Sequence, residues 1–225
     1  KTTIATNIAG EFIARGRRVL LVDADPQRSA STWKAVGEEH RQVMPSILLM
    51  GAEMHRGQLD SIARGFDLTV IDCPPALDAI QRSALMVADL ALIPCAPATF
   101  DAWALDGSLK LAREAQKVRR RLRVAVVINR RKTGTTIGDQ ARDVFKAAGA
   151  DVLRTEIRDR LAYQEAPAAG VAVTTYQPTG KAADEMRERQ SIESRLHEAI
   201  ATLDRRVTER TLSLLTRDRT VALFR

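Results

Sequence analysis

Lys1 and Thr2 open the chain at the head of an amphipathic helix, and this pair has the chemistry of the end of a phosphate-binding loop. In the full pattern, G-x-x-x-x-G-K-[ST], backbone N–H groups surround the phosphates, the lysine reaches the β- and γ-phosphates, and the hydroxyl binds Mg²⁺. A helix N-terminus also attracts anions, because its free N–H groups and its dipole point outward. Without the glycines the pair is equally an arbitrary helix start, so the acids that follow decide its interpretation.

The second candidate is the segment Asp23-Ala24-Asp25-Pro26-Gln27, which follows the apolar run 19–22. In an extended strand Asp23 and Asp25 lie on the same face. Ligands bind at the carboxyl ends of strands in open α/β sheets. A carboxylate there orders an attacking water or holds Mg²⁺ through water. The alternative is a polar loop that caps the helix beginning near Ser29.

Two further polar side chains follow apolar strands. Asp72 follows the run 68–71 and begins the segment Asp-Cys-Pro-Pro. Because proline has no N–H group and cannot continue a strand ladder, a loop is predicted after it. A buried aspartate at that point needs a cation or hydrogen-bond donors, and it matches the acid that assists Mg²⁺ binding in phosphate-loop enzymes. Asn129 follows a strand ending at Ile128, where its amide can pair with an adenine edge. The alternatives are an ordinary strand-end aspartate and a turn-forming asparagine that starts the loop 130–134.

Alternating strands and helices must position these residues, and their order predicts an α/β fold with a mostly parallel sheet and helices on both faces. Runs such as 124–128 are apolar on both faces, as covered strands require. Strands are predicted at 19–23, 46–50, 67–72, 89–94, 122–128 and 151–154, with a weaker one near 171–175. Helices are predicted at 2–15, 28–36, 52–64, 77–87, 102–120, 137–149, 159–168 and 180–203.

The start of the chain and its length bound the domain organisation. We expect a fragment that lacks the first strand and the glycine loop, and therefore weak ATP binding and a sheet without its centre. At 225 residues the chain is predicted to hold one domain over 1–204 and a basic tail over 205–225.

Cys73 and Cys95 each adjoin an apolar strand, so two buried thiols in a reducing cytoplasm are expected rather than a disulfide. Apolar runs long enough to cross a membrane are absent from the sequence.

The net charge of +7 suits an anionic partner, with nucleic acid as the first candidate. Cations clustered on one face would neutralise DNA phosphates without reading bases. The alternative is a solvated surface in an arginine-rich protein. The candidate cations are Lys117, Arg119, Arg120, Arg121, Arg123, Arg130, Arg131, Lys132, Arg154, Arg158, Arg160, Arg187, Arg189 and Arg195.

Taken together, these segments resemble the ParA/MinD group of deviant phosphate-loop ATPases, most closely the small plasmid-partition ParA proteins. The resemblance covers about residues 1–200. It is carried by Lys1-Thr2-Thr3, the D-x-D-P-Q segment at 23–27, and Val70-Ile71-Asp72-Cys73-Pro74-Pro75. The segments 88–94 and 166–173 also look like the family.

The resemblance implies roles for individual residues. Lys1 would be the phosphate-loop lysine and Thr2 the Mg²⁺ ligand, with Thr3 in the same nucleotide-binding segment. Asp25 would orient the hydrolytic water. Asp72 would be the acid of the Mg²⁺ site, and Asp23 would support it. Asn129 would lie beside the adenine. The family's signature lysine, which reaches across the dimer, would precede residue 1.

The resemblance also implies a cycle and partners. ATP and Mg²⁺ would drive a homodimer that binds non-specific DNA on the nucleoid in the cytoplasm, without stable membrane insertion. A ParB-like centromere-binding protein would stimulate hydrolysis and so release the DNA. One alternative is a MinD-like or pilus-positioning ATPase that acts at a membrane or pole through an amphipathic helix in 205–225. Another is an inactive, truncated binding module. A nitrogenase-reductase-like or cobyrinate-amidating enzyme is not favoured, because the required cysteine sets are absent from the sequence.

Overall fold

The computed structural model describes residues 1–51, 53–75, 79–187 and 220–224. Within these residues a seven-stranded sheet runs in the order β2-β1-β3-β7-β4-β5-β6, and each neighbouring pair is parallel. The strands are β1 (Val19–Asp23), β2 (Ser46–Leu49), β3 (Leu68–Asp72), β4 (Leu90–Cys95), β5 (Arg123–Arg131), β6 (Val152–Arg158) and β7 (Thr220–Leu223). The helices are α1 (Thr2–Ala14), α2 (Ser29–Glu39), α3 (Gln58–Ala63), α4 (Ala79–Val87), α5 (Thr99–Val118), α6 (Thr136–Ala147), α7 (Ala162–Glu165), α8 (Val173–Tyr176) and α9 (Lys181–Arg187). Two 3₁₀ turns lie at Met54–Arg56 and Ala166–Ala169.

Helices cover both faces of the sheet, which confirms the predicted α/β architecture. Successive side chains of a strand point to opposite faces, so β1 divides its apolar residues between two cores. Leu20 and Val22 pack in the core under α3 to α6. Val19 and Leu21 pack in the core under α1, α2 and α7 to α9. Among the described residues, no helix is long and apolar enough to span a bilayer.

The weaker strand predicted near 171–175 is wrong. Gly170 has a φ of 67° and ends the second 3₁₀ turn. The backbone N–H of Val173 then donates to Oδ1 of Asn7 at 2.7 Å, and the short helix α8 begins there. A side chain of α1 thus accepts the N–H group that a strand would donate to its neighbour, and the segment forms a short helix and not a strand of the sheet.

β7 occupies the centre of the sheet, between β3 and β4. These residues were predicted to belong to a tail, and the predicted sheet without a centre is wrong for the residues that the structure describes. All four residues of β7 are buried. Asp89 fixes the amino end of the strand: its N–H donates to the Thr220 carbonyl at 2.9 Å, and its Oδ2 accepts from the Thr220 N–H at 3.2 Å. The predicted helix beyond Arg187 and the tail positions 205–219 lie outside the described residues.

Arg119 holds the same corner of the fold together and is not available to DNA phosphates. Its guanidinium donates to the carbonyls of Ala88 (2.6 Å) and Val87 (2.7 Å), and to Oδ1 of Asp89 (3.0 Å). Only 15% of its side chain is exposed. The sequence interpretation of Arg119 as a DNA-contacting cation is therefore wrong, whereas its neighbour Arg120 is exposed.

We expect Arg119→Glu to lower the free energy of unfolding by about 3 kcal/mol, because it removes the more buried of the two arginine partners of Asp89 and adds a second carboxylate beside it. Arg120→Glu is the matched control and should change it by less than about 0.5 kcal/mol. Urea unfolding of the two variants measures the difference. Equal losses would show that the Arg119 contacts do not stabilise the fold.

Candidate functional site

The first turn of α1 faces the carboxyl edge of the sheet. Lys1 is the N-cap of this helix, and its carbonyl accepts from the N–H groups of Ile4 (2.8 Å) and Ala5 (3.0 Å). The N–H groups of Thr2 and Thr3 come before these bonds and have no acceptor within their own helix. Thr2 and Thr3 follow directly, and all three residues are half-buried. This helix start has N–H donors, the Lys1 ammonium group and the Thr3 side chain available for a bound anion, while the Thr2 hydroxyl faces Asp72.

Asp23 and Asp72 end neighbouring strands side by side, since they are direct partners in the β1–β3 pairing. Oδ2 of Asp23 accepts from the N–H (2.9 Å) and the hydroxyl (2.6 Å) of Ser31. Its Oδ1 and both carboxylate oxygens of Asp72 are buried and accept no hydrogen bond of ordinary geometry from the described residues. A buried carboxylate without donors is costly, so this pair requires a proton or a cation.

The pair fits a hard divalent cation. Burial raises the pKa of Asp72 from 3.8 to about 6; the Thr2 hydroxyl opposes this shift and the Asp23 carboxylate adds to it. Unpaired carboxylate oxygens and a hydroxyl oxygen are the ligands that Mg²⁺ takes from proteins, where it usually keeps several waters and binds substrate phosphates. The three residues predicted for the metal therefore provide a suitable set of oxygens.

We expect Asp72→Asn to stabilise the protein at pH 7 in EDTA. The Asp72 carboxyl binds its proton more tightly in the folded protein than in the unfolded chain. The ionised carboxylate therefore lowers the free energy of unfolding, most strongly above the folded pKa and less as the pH falls. The gain should be about 2 kcal/mol at pH 7 and about half that at pH 5. In a thermal melt this corresponds to a rise of roughly 4–8 °C at pH 7. A gain that does not depend on pH would exclude ionisation as the cause.

A cavity of about 640 Å³ lies beside the start of α1. Lys1, Thr3 and Asn129 line it, so the structure brings these three predicted residues together. The volume is within the usual range for small-molecule sites. The remaining lining residues are Pro75, Pro94, Ala96, Asp101, Arg130, Ile157, Arg158, Asp159, Arg160, Tyr163 and Gln164.

An irregularity in β5 places Asn129 at the cavity. Asn129 lies within this strand and not after it, and the pairing with β6 shifts register between Ile128 and Arg131. Arg130 has a φ of 53°, an uncommon conformation for this residue type. Such bulges re-aim side chains near functional sites. Both Asn129 and Arg130 line the cavity as a result.

Asp25 lies apart from the cavity lining, on the turn between β1 and α2. Its Oδ1 accepts from the N–H of Gln27 at 2.9 Å, and the residue is half-buried. The structure therefore places the predicted residues in three neighbouring positions: the cavity, the carboxylate pair with Thr2, and this turn.

Sequence reasoning missed the cavity wall formed by residues 157–164. β6 was predicted to end at 154, but it continues to Arg158. That extension carries the following residues to the carboxyl edge of the sheet. Arg158 and Arg160 had been considered only as surface cations, and Asp159, Tyr163 and Gln164 were not singled out. The rule that ligands bind beyond strand ends would have found them had the strand been given its full length.

Comparisons with known proteins agree with this geometry. Residues 1–173 match the family model of the CobQ/CobB/MinD/ParA nucleotide binding domain. Maintenance of carboxysome distribution protein A from Halothiobacillus neapolitanus is 33% identical over 84% of this chain and 88% of its own length. Chromosome partitioning protein ParA from Caulobacter vibrioides (strain NA1000 / CB15N) is 29% identical over 78% of this chain and 82% of its own. Among solved structures, a variant of Cyanothece McdA in complex with ATP aligns with a TM-score of 0.69 at 17% identity, over 89% of this chain and 91% of its own.

Proposed function

The chain belongs to the CobQ/CobB/MinD/ParA nucleotide-binding family, and from this we propose that it is a DNA-partition ATPase. In this proposal it binds DNA non-specifically as an ATP-bound homodimer and releases it after hydrolysis. The observation that supports it most directly is the start of α1, which opens on a cavity and lies beside the buried carboxylates of Asp23 and Asp72.

The nucleotide is bound by the cavity and the helix start. Lys1 and the N–H groups of the first turn, including that of Thr3, bind the β- and γ-phosphates. Asn129 pairs with the adenine edge through its amide. Both ends of this arrangement line the same cavity, so one nucleotide can meet both.

Thr2 and Asp72 would hold Mg²⁺, and Asp23 would support them through its unpaired Oδ1. The ion would supply positive charge beside the phosphates. Asp25 orients the attacking water and accepts its proton. We expect slow basal hydrolysis, because a switch must remain in its ATP state long enough to act.

The DNA surface requires exposed cations. Lys117, Arg120, Arg121 and Arg123 are exposed. The first three precede β5 and Arg123 begins it, so they lie at the amino edge of the sheet, opposite the nucleotide cavity. With a net charge of +7, this surface can bind phosphates without reading bases. A ParB-like centromere-binding protein would stimulate hydrolysis, and the protein would act in the cytoplasm on the nucleoid.

The alternative role at a membrane has less support. It relied on apolar residues of the tail, including Leu223 and Phe224, but both are fully buried in the centre of the sheet. They cannot insert into a bilayer while β7 is in place. Co-sedimentation with anionic liposomes in the presence of ATP would test this alternative directly.

The test is binding of the full-length protein to a non-specific DNA duplex at low salt with ATP, with ADP, or without nucleotide. Binding with ATP alone is expected. Equal binding in all three states would show that the basic charge is generic and would overturn the switched DNA function. No binding in any state would also overturn it, and the inactive binding module would then be favoured.

A further inference from the structure

Residues 158–163 of the cavity wall begin at the last residue of β6 and continue outside the sheet. This part of the wall therefore needs support from other elements. Arg158 ends β6, and the next N–H, that of Asp159, donates to the Arg131 carbonyl at 3.0 Å. From there the chain leaves the sheet and enters the short helix α7, which contains Tyr163. Arg158, Arg160 and Tyr163 all line the cavity. A wall built from a strand end and one helical turn has few ladder bonds of its own.

Glu185 on α9 supplies that support from behind. Its Oε1 accepts from Nε and Nη2 of Arg160, both at 2.7 Å. Its Oε2 accepts from the N–H of Arg158 at 3.3 Å and from the Tyr163 hydroxyl at 3.2 Å. Only 13% of the Glu185 side chain is exposed. One carboxylate therefore satisfies donors from three residues of the wall.

These contacts join the wall to the core. The Tyr163 hydroxyl also lies 3.1 Å from the Ala182 carbonyl, one helical turn before Glu185. Ala182 and Tyr163 both pack in the core under α1. Burial, and then the Glu185 charge, raise the pKa of Tyr163, so it remains a neutral donor at physiological pH. Two nitrogens of the Arg160 guanidinium contact the single oxygen Oε1, so Arg160 is held by a charge-assisted pair, which is stronger than a neutral hydrogen bond.

We propose that Glu185 is a positioning residue of the nucleotide site. It does not line the cavity, and it acts through Arg158, Arg160 and Tyr163 to hold the wall that faces Lys1 and Asn129. The ligand is the nucleotide of the proposed function, on which this inference rests. Loss of the Glu185 charge releases the Arg160 guanidinium and loosens the wall, while the phosphate-binding start of α1 is left intact.

The first test compares Glu185→Gln with Asp184→Asn in the full-length protein. Asp184 is exposed on the same helix and is the matched control. Binding of a fluorescent N-methylanthraniloyl ATP with Mg²⁺ is measured together with the hydrolysis rate at saturation. Glu185→Gln should weaken binding about tenfold and change kcat less than about twofold, since the site is displaced only at one wall. Asp184→Asn should bind like the parent, and parent-like binding by Glu185→Gln would overturn the inference.

The second test is independent of nucleotide. Amide hydrogen exchange of the nucleotide-free protein should be at least about tenfold faster over residues 158–163 in Glu185→Gln, with α1 and β3 unchanged. Exchange at the parent rate would overturn the positioning role, and faster exchange throughout the chain would show a global structural role instead. If the parent protein binds no nucleotide, the proposed function fails, and the local exchange result then shows separately whether Glu185 holds the wall.

Discussion

Lys1→Ala is expected to weaken ATP binding at least about a hundredfold, equivalent to about 2.7 kcal/mol. The lysine is the full positive charge at the start of α1, and it lines the cavity. The helix dipole supplies only about half a charge at this position. A charge-assisted contact to a phosphate in a half-buried site is roughly twice as strong as a neutral hydrogen bond, so its loss cannot be made up by the N–H groups alone.

Isothermal titration calorimetry with ATP and Mg²⁺ measures this loss in the full-length protein. Lys110→Ala provides the control, because Lys110 is exposed on α5 and does not line the cavity. It removes the same charge without touching the proposed site. Parent affinity in Lys1→Ala would remove the central assignment of the nucleotide site.

Asp25→Ala is expected to lower ATP hydrolysis about a hundredfold or more while leaving ATP affinity nearly unchanged, because positioned bases contribute about 10²–10⁴ to rate. Asp25 does not line the cavity, so its loss should not disturb ground-state binding. The variant should accumulate as an ATP-bound dimer that stays on DNA. Phosphate release and size-exclusion chromatography with ATP measure the two effects.

Two companion variants identify the cause. Asp25→Asn keeps an oxygen that can accept the Gln27 N–H, which is 2.9 Å from Oδ1 in the parent, but it has no carboxylate charge. It should be as inactive as Asp25→Ala. Asp143→Ala removes an exposed carboxylate on α6 and should hydrolyse ATP at the parent rate. Full activity in Asp25→Asn would show that hydrolysis requires the hydrogen bond to the Gln27 N–H and not the carboxylate charge.

The fold could be predicted from the sequence wherever the pattern of apolar residues was long and regular. The runs that became β1, β3 and β4 are apolar on both faces, and such strands require helices on both sides of a parallel sheet. The acids at their carboxyl ends could be identified for the same reason, since Asp23 and Asp72 directly follow those runs. Their roles in catalysis and metal binding stay predictions.

The two wrong predictions, for the segment near 171–175 and for Arg119, have a common cause. Val171 to Val173 had the apolar character of a strand, but Asn7 takes the N–H of Val173. Arg119 looked like any other cation in a basic run, yet it is fixed by two carbonyls and Asp89. In both cases the deciding partner is remote in sequence, so local periodicity and composition cannot reveal it.

The sequence by itself determined the parallel α/β layers and the carboxylates at the strand ends, while phosphate binding by the start of α1 stays a prediction. These depend on local periodicity and on residue type, both of which can be read from neighbouring positions. Only the tertiary structure decided that β7 fills the centre of the sheet, that both carboxylate oxygens of Asp72 are buried, and that Glu185 contacts the cavity wall. Each of these follows from contacts between distant segments, whose register and distance are set when the whole core packs.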